Sequence, residues 1–210
     1  LVPKAVLSSF DVSYPFRQGI MLGPRRPKEF LGNLPNARKA WGSEDAAQDI
    51  QRSILDDSTP IVLADGSEIP FNQFVEDTGL IRTLETGLTT SEEAFQSRLA
   101  ERLPFIGKIV RASNRSFTVY GNKLRADVAK NILKAWSRTK PPDSQELQAL
   151  ADMLNRFSGR GTLVPKGERL TGLARDFNNF AEAVFWAPKY RIAGPQAVAQ
   201  MLNVKNPRVA

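Results

Sequence analysis

Apolar residues recur every three or four positions through most of the chain, which is the spacing of one face of an α-helix. This period covers roughly 43–55, 91–103, 107–138, 144–157 and 168–187, with a shorter stretch at 195–202. Ser43, Ser91 and Asp143 precede three of these stretches as capping residues, and acidic residues follow each of them in the first turn. The pattern predicts an all-α fold of several amphipathic helices.

Two parts of the chain depart from this period. Residues 1–42 contain frequent Pro and Gly up to position 35, which predicts an irregular N-terminal arm of short helical pieces laid along a surface. Residues 58–90 are the least regular, and Pro60–Ala64 followed by Asp65-Gly66 fits either a short strand and turn or a helix end and loop. At most one short β-hairpin is therefore expected. The predicted organisation is this arm followed by a helical domain over 43–210.

Local signals add detail to two of the predicted helices. In the long helix over 107–138, Gly121 weakens the middle and marks the position where the helix would break. The inner face of this helix is marked by Leu124, Val128, Ile132, Ala135 and Trp136. In the following helix, Asp143 and Glu146 have the spacing of a capping box. Its apolar stripe consists of Leu147, Leu150, Leu154 and Phe157.

The net charge of +7 is distributed in blocks of opposite sign. Residues 43–103 hold thirteen acids against four basic residues, whereas residues 104–142 hold nine basic residues against the single acid Asp127. The N-terminal arm and the C-terminal helices over 143–210 are also basic. An acidic block between basic blocks indicates either pairing between neighbouring helices or separate faces for different partners.

The basic block contains the candidate nucleic-acid-binding residues. They are Lys108, Arg111, Arg115, Lys123, Arg125, Lys130 and Lys134, with Arg138 at the end of the same helix. These cations fit a stripe that binds phosphates, a solvated helix face that leans on the acidic block, or a contact with another acidic protein. No helix-turn-helix, zinc-finger or RNA-recognition signature accompanies the stripe, so the sequence alone leaves the three interpretations open.

The chain lacks both histidine and cysteine. Histidine-based catalytic triads, thiol nucleophiles and zinc sites built from these residues are therefore excluded. Acidic pairs such as Asp56-Asp57 and Glu92-Glu93 are adjacent in sequence, so on a helix their side chains point in different directions. The sequence therefore predicts a protein that is not an enzyme, with no catalytic residues, metal site or cofactor.

Gly159, Arg160 and Gly161 form the sharpest local motif of the chain. Two glycines around an arginine can point backbone N–H groups at an anion, with the guanidinium completing the site. The same residues also fit a helix C-cap and turn, in which Arg160 bonds helix carbonyls or an acid. The motif is thus a candidate anion site or a structural clamp.

Two further observations concern the boundaries of the chain. Its first residue is Leu1 rather than methionine, so the sequence is expected to be part of a longer polypeptide. It contains no run of roughly 18 apolar residues and no signal-peptide pattern, so a soluble segment without a membrane span is expected.

Short motifs spread along most of the chain resemble a helical region of the large polyvalent proteins of tailed bacteriophages and mobile elements. These motifs are Leu7–Ser13 with Pro15–Gly19, Arg111–Arg115 with Asn122–Asp127, Asn155–Leu163, and Phe185–Tyr190. Gly121 departs from the bulky residue expected before Asn122. Members of this family are very large multidomain proteins, often packaged in the virion and delivered to the host with the genome. The resemblance implies no catalytic role for this helical region.

The expected function is that of a non-catalytic structural segment of a large internal, ejected virion protein. Its expected partners are portal, tail or internal virion proteins and further copies of itself, with packaged DNA as an additional candidate. It would reside in the virion and enter the host cell on infection. The alternative is a DNA-binding accessory domain that acts in the infected cell.

Overall fold

The computed structural model describes residues 22–81 and 104–158. The predicted helices over 91–103, 168–187 and 195–202 lie outside these residues, as does the Gly159–Gly161 motif. The described helices are α1 (Pro27–Gly32), α2 (Leu34–Gly42), α3 (Glu44–Leu55), α4 (Phe71–Thr78), α5 (Pro104–Thr139) and α6 (Ser144–Phe157). Two strands, β1 (Pro60–Val62) and β2 (Glu68–Pro70), lie between α3 and α4. The predicted all-α class with one small hairpin is confirmed.

The hairpin forms where the sequence suggested a strand and turn. The strands β1 and β2 pair antiparallel, with Ile61 opposite Ile69. Gly66 takes a φ of 85° in the turn, which a residue with a side chain rarely adopts. The Asp65 carboxylate accepts hydrogen bonds from the backbone N–H and the hydroxyl of Ser67, which closes the turn.

The ends of α3 and α6 follow the local signals in the sequence. Ser43 caps α3 by accepting a hydrogen bond from the backbone N–H of Ala46. Asp143 and Glu146 form the predicted capping box, each side chain accepting from the backbone N–H of the other residue. These contacts satisfy N–H groups that have no partner within a helix, which fixes where each helix begins.

The 36-residue helix α5 forms the centre of the fold. Between Ser113 and Ala129 nearly all of its side chains are buried, because α1, α2, α3, α6 and β1 pack around it. The helix α2 runs antiparallel to α5, since Asn33 contacts Asp127 while Ala37 contacts Ser116. Further along α5, Leu124 and Val128 are buried as predicted, and Ile132 and Trp136 pack against the same core, whereas Ala135 is exposed.

The part of the predicted N-terminal arm that the structure describes belongs to the core. Leu22 and Phe30 are buried in the main apolar cluster. The Tyr120 hydroxyl donates a hydrogen bond to the Phe30 carbonyl, and the two rings meet edge to face at 6.0 Å. Burial also raises the pKa of Tyr120. Residues 22–42 thus form two short helices, α1 and α2, that pack against α5.

The helix α5 continues without a break through Gly121. A Cβ at this position would lie 3.4 Å from both terminal nitrogens of the Arg125 guanidinium. Because Gly121 has no side chain, the Arg125 guanidinium has room to lie along the helix backbone, one turn before the Cα of Arg125. The sequence feature that suggested a break instead accommodates a buried arginine.

Substitutions at Gly121 should separate helix propensity from packing. Gly121→Ala is expected to change the free energy of unfolding by less than about 1 kcal/mol, because improved helix propensity offsets a close contact. Gly121→Leu should destabilise the chain by about 1–3 kcal/mol, because its side chain collides with the guanidinium. Urea unfolding measures both, and equal stability of the two variants would contradict this packing.

Candidate functional site

The cations of α5 make different contacts from one another. Arg115 lies against the C-terminal end of α2, where its Nε donates to the Ala40 carbonyl at 2.7 Å and its Nη2 donates to the Trp41 carbonyl at 3.0 Å. Its Nη1 lies 3.9 Å from the carboxylate of Glu44 at the start of α3. Carbonyls at a helix end lack partners within the helix and carry partial negative charge. Arg115 therefore joins three helices.

Lys123 belongs to a polar contact between α5 and the junction of α1 and α2. Its ammonium lies 2.8 Å from one oxygen of Asp127, one turn further along α5. The other Asp127 oxygen accepts a hydrogen bond from the side-chain amide of Asn33, which is buried. That amide also donates to the carbonyl of Glu29 in α1. The single acid of the basic block thus holds the N-terminal helices on α5.

Lys130 connects the basic block to the acidic block. Its ammonium pairs with the Asp57 carboxylate just after α3 and lies 5.5 Å from the centre of the Phe71 ring. Burial by itself would raise the pKa of Asp57, but hydrogen bonds from Lys130 and Thr59 outweigh it and lower the pKa below the ordinary value of 3.8. This pair is an instance of the predicted pairing between neighbouring blocks.

The Asp57 pair should contribute stability that depends on pH. Because the folded-state pKa of Asp57 is lowered, its contribution is present above the unfolded-state pKa and is lost as the pH falls through the folded-state pKa. The loss should therefore occur below about pH 4. Urea unfolding between pH 7 and pH 3 should show a smaller acid-dependent loss in Asp57→Asn and in Lys130→Gln than in the original chain. An unchanged pH profile in both variants would contradict this contribution.

Arg125 lies in the interior, with 0% of its surface exposed. Its Nη2 donates to the Asn122 side-chain oxygen, and its Nη1 donates to the Ser158 hydroxyl just after α6, each at 2.8 Å. The Asn122 amide in turn donates to the side chain of Gln51 on α3 at 2.9 Å. This chain of hydrogen bonds, the Arg125 network, links α3, α5 and the end of α6. Arg125 does not reach the surface stripe to which the sequence assigned it.

The remaining candidate cations lie near the two ends of α5. Lys108 and Arg111 are exposed before its buried middle, and Lys134 and Arg138 are exposed after it. At 1.5 Å per residue, Arg111 and Lys134 are separated by about 35 Å along the axis. The structure therefore does not bring the seven predicted residues together on one surface. Four of them, Arg115, Lys123, Arg125 and Lys130, instead hold neighbouring elements in place.

A polar groove of about 410 Å³ opens between the α1–α2 junction and α5. It is lined by Lys28, Glu29, Gly32, Asn33, Asn36, Asp127, Lys130 and Asn131. Much of its polar lining is engaged internally, since Asn131 donates to Glu29 and Asn36 donates to Asn33. The groove is thus mainly a hydrogen-bonded joint between the N-terminal helices and α5. Sequence reasoning missed it because Asn33 and Asn36 lie within the predicted arm.

Residues 22–81 and 104–158 contain no cluster of three acids placed to hold a metal ion. Within the same residues, no helix combines the length and apolar character that crossing a membrane requires. No family model, curated protein sequence or solved structure matches this chain.

Proposed function

We propose that this chain is a non-catalytic structural segment of a large internal, ejected bacteriophage virion protein. In this role it contacts portal, tail or other internal proteins and further copies of itself, and it enters the host cell on infection. The observation that carries the proposal is that several cations of the basic block bond to other elements of the same fold. Arg115, Arg125 and Lys130 each bond to another element of the fold, which is the arrangement expected of a rigid helical support.

The positions of the motif residues support the same interpretation. Several residues of the two motifs in α5 and of the motif at the end of α6 join separate elements. They are Arg115, Asn122, Arg125, Asp127 and Ser158. The likeness to the polyvalent proteins therefore involves residues that hold this fold together. A shared structural framework accounts for such motifs without any catalytic role.

The absence of catalysis is part of the proposal and rests on the sequence. With neither histidine nor cysteine, the chain lacks the commonest general base and the thiol nucleophile. Asp57, which packs against α5, and Asp127, which lies on α5, act as partners of cations and amides. Hydrolysis of peptidoglycan or nucleic acid by the purified chain, abolished by a single Asp or Glu substitution, would overturn this part.

The exposed cations at the two ends of α5 favour the alternative, a DNA-binding accessory domain in the infected cell. A phosphate contact releases counterions, so each one adds about −0.9 to the log–log dependence of duplex binding on salt. The two roles therefore differ in how binding to duplex DNA responds to salt and to loss of particular cations.

A 30-base-pair duplex titrated with the chain at several salt concentrations separates the two functions. The structural role predicts weak binding, with a dissociation constant in the nonspecific range of roughly 10⁻⁴–10⁻⁶ M at physiological salt. Lys123→Gln with Lys130→Gln should lower stability while leaving the slope against salt unchanged. Tight duplex binding whose slope falls by about two when the exposed cations are replaced, in Lys134→Gln with Arg138→Gln, would support the DNA-binding role instead.

A further inference from the structure

Trp41 is a large apolar side chain that the fold leaves exposed. It lies next to the last residue of α2, and 40% of its surface is accessible. In the described part of the chain, Leu31 is the other large hydrophobic residue with comparable exposure. Leu31 is on α1, whereas Trp41 is at the end of α2 that faces the beginning of α5. The charged residues near Trp41 therefore differ from those near Leu31.

The contacts of Arg115 locate Trp41 relative to α5. Because the Arg115 guanidinium bonds the Ala40 and Trp41 carbonyls, the end of α2 lies against α5 at residue 115. Arg111 precedes Arg115 by four residues and Lys108 precedes it by seven, so both lie on nearly the same face of α5. They are about 6 Å and 10 Å from Arg115 along the helix axis. Both are exposed.

The charges around this end of the fold favour a phosphate-bearing partner. Arg38 and Lys39 are exposed in the last turns of α2, and Lys108 and Arg111 are exposed on α5 before Arg115, so four exposed cations lie at the end of the fold that holds Trp41. Among the described residues, the acids at this end of the fold are Glu44 and Asp45 at the start of α3, and Glu44 faces Arg115. Cations thus outnumber acids.

We propose that Trp41 and the cations around it bind single-stranded nucleic acid. The indole would stack on one unpaired base while the phosphates on either side lie near Arg38, Lys39 and Arg111. An indole stacks on any base, and cations along a surface follow the phosphate backbone without reading sequence. A duplex keeps its base faces stacked inside, so the surface should prefer single strands. This inference is independent of the proposed structural role, which does not use Trp41.

The test uses the complete chain and a fluorescently labelled oligothymidylate of 20 nucleotides, with a duplex of the same length alongside. Trp41→Ala should weaken oligothymidylate binding about 5- to 150-fold, the range measured for loss of one stacked base. Trp41→Phe should retain most of the affinity. Arg38→Gln with Lys39→Gln should reduce the log–log slope against salt by about 1.4, since each contact with a single strand contributes about 0.7.

A matched double variant at the other end of α5, Lys134→Gln with Arg138→Gln, should bind oligothymidylate as the original chain does. Urea unfolding should show that the Trp41 variants remain folded under the binding conditions, because Arg115 bonds the backbone carbonyl of residue 41 rather than its side chain. Unchanged binding by Trp41→Ala, equal loss in the distant double variant, or equal affinity for duplex would overturn the proposal. If Trp41→Ala weakens binding to another protein but leaves oligothymidylate binding unchanged, the proposal is also overturned.

Discussion

Replacing Arg125 with alanine should lower the free energy of unfolding by about 3–5 kcal/mol. The guanidinium is fully buried and donates to Asn122 and Ser158, so its removal leaves two buried oxygens without these donors. It also leaves a cavity the size of a long side chain beside Gly121. This would be among the largest effects of any single substitution, because three elements depend on one side chain.

The comparison variants make this expectation specific. Arg125→Lys retains the charge but cannot place two donors in a planar fork, so it should cost about 2 kcal/mol or more. Arg138→Ala removes an exposed arginine from the same helix and should change stability by less than about 0.5 kcal/mol. Urea unfolding monitored by circular dichroism compares all three. If Arg125→Ala is as stable as Arg138→Ala, the Arg125 network does not hold the fold.

Replacing Asn33 with alanine should have the second largest effect, about 2–3 kcal/mol. The Asn33 amide donates to both the Glu29 carbonyl and the Asp127 carboxylate, and its oxygen accepts from Asn36. Only 2% of the residue is exposed, so water cannot replace these bonds. The loss should separate α1 and α2 from α5.

Asn36, in the first turn of α2, provides the matched control for Asn33, which caps that helix. The Asn36 amide donates to Asn33, and the residue is partly exposed. Asn36→Ala should therefore lower stability by less than about 1 kcal/mol. Hydrogen exchange of the α2 amides offers a second measurement, with faster exchange expected in Asn33→Ala alone. Equal effects of the two substitutions would show that Asn33 does not anchor the N-terminal helices.

The predictions that the structure confirms depend on neighbours in sequence. Ser43 and the Asp143–Glu146 pair fix helix starts through contacts within one turn, so their spacing alone identifies them. The turn at Asp65-Gly66 similarly depends on residues two positions apart. Each of these contacts is made between residues within one turn of the chain, so its partners can be identified without knowing how the helices pack.

The positions of the cations could not be predicted in this way. Lys123, Arg125 and Lys130 belong to one helix and one charge block, yet Arg125 is inside the fold while the other two pair with acids. The surroundings of each cation depend on which elements pack against α5 at its position along the helix. The nearest signal in the sequence was Gly121, because a small residue one turn before an arginine permits the guanidinium to fold back along the helix.

The proposed function assigns this chain to a phage particle, and imaging of intact particles tests that assignment most directly. The 36 residues of α5 make a rod about 54 Å long, with the shorter helices α2 and α3 packed on it. We expect density of this shape at the portal, the tail or the internal core of the particle. Particles that assemble and infect with this protein absent from them would contradict the structural role and favour action inside the host cell.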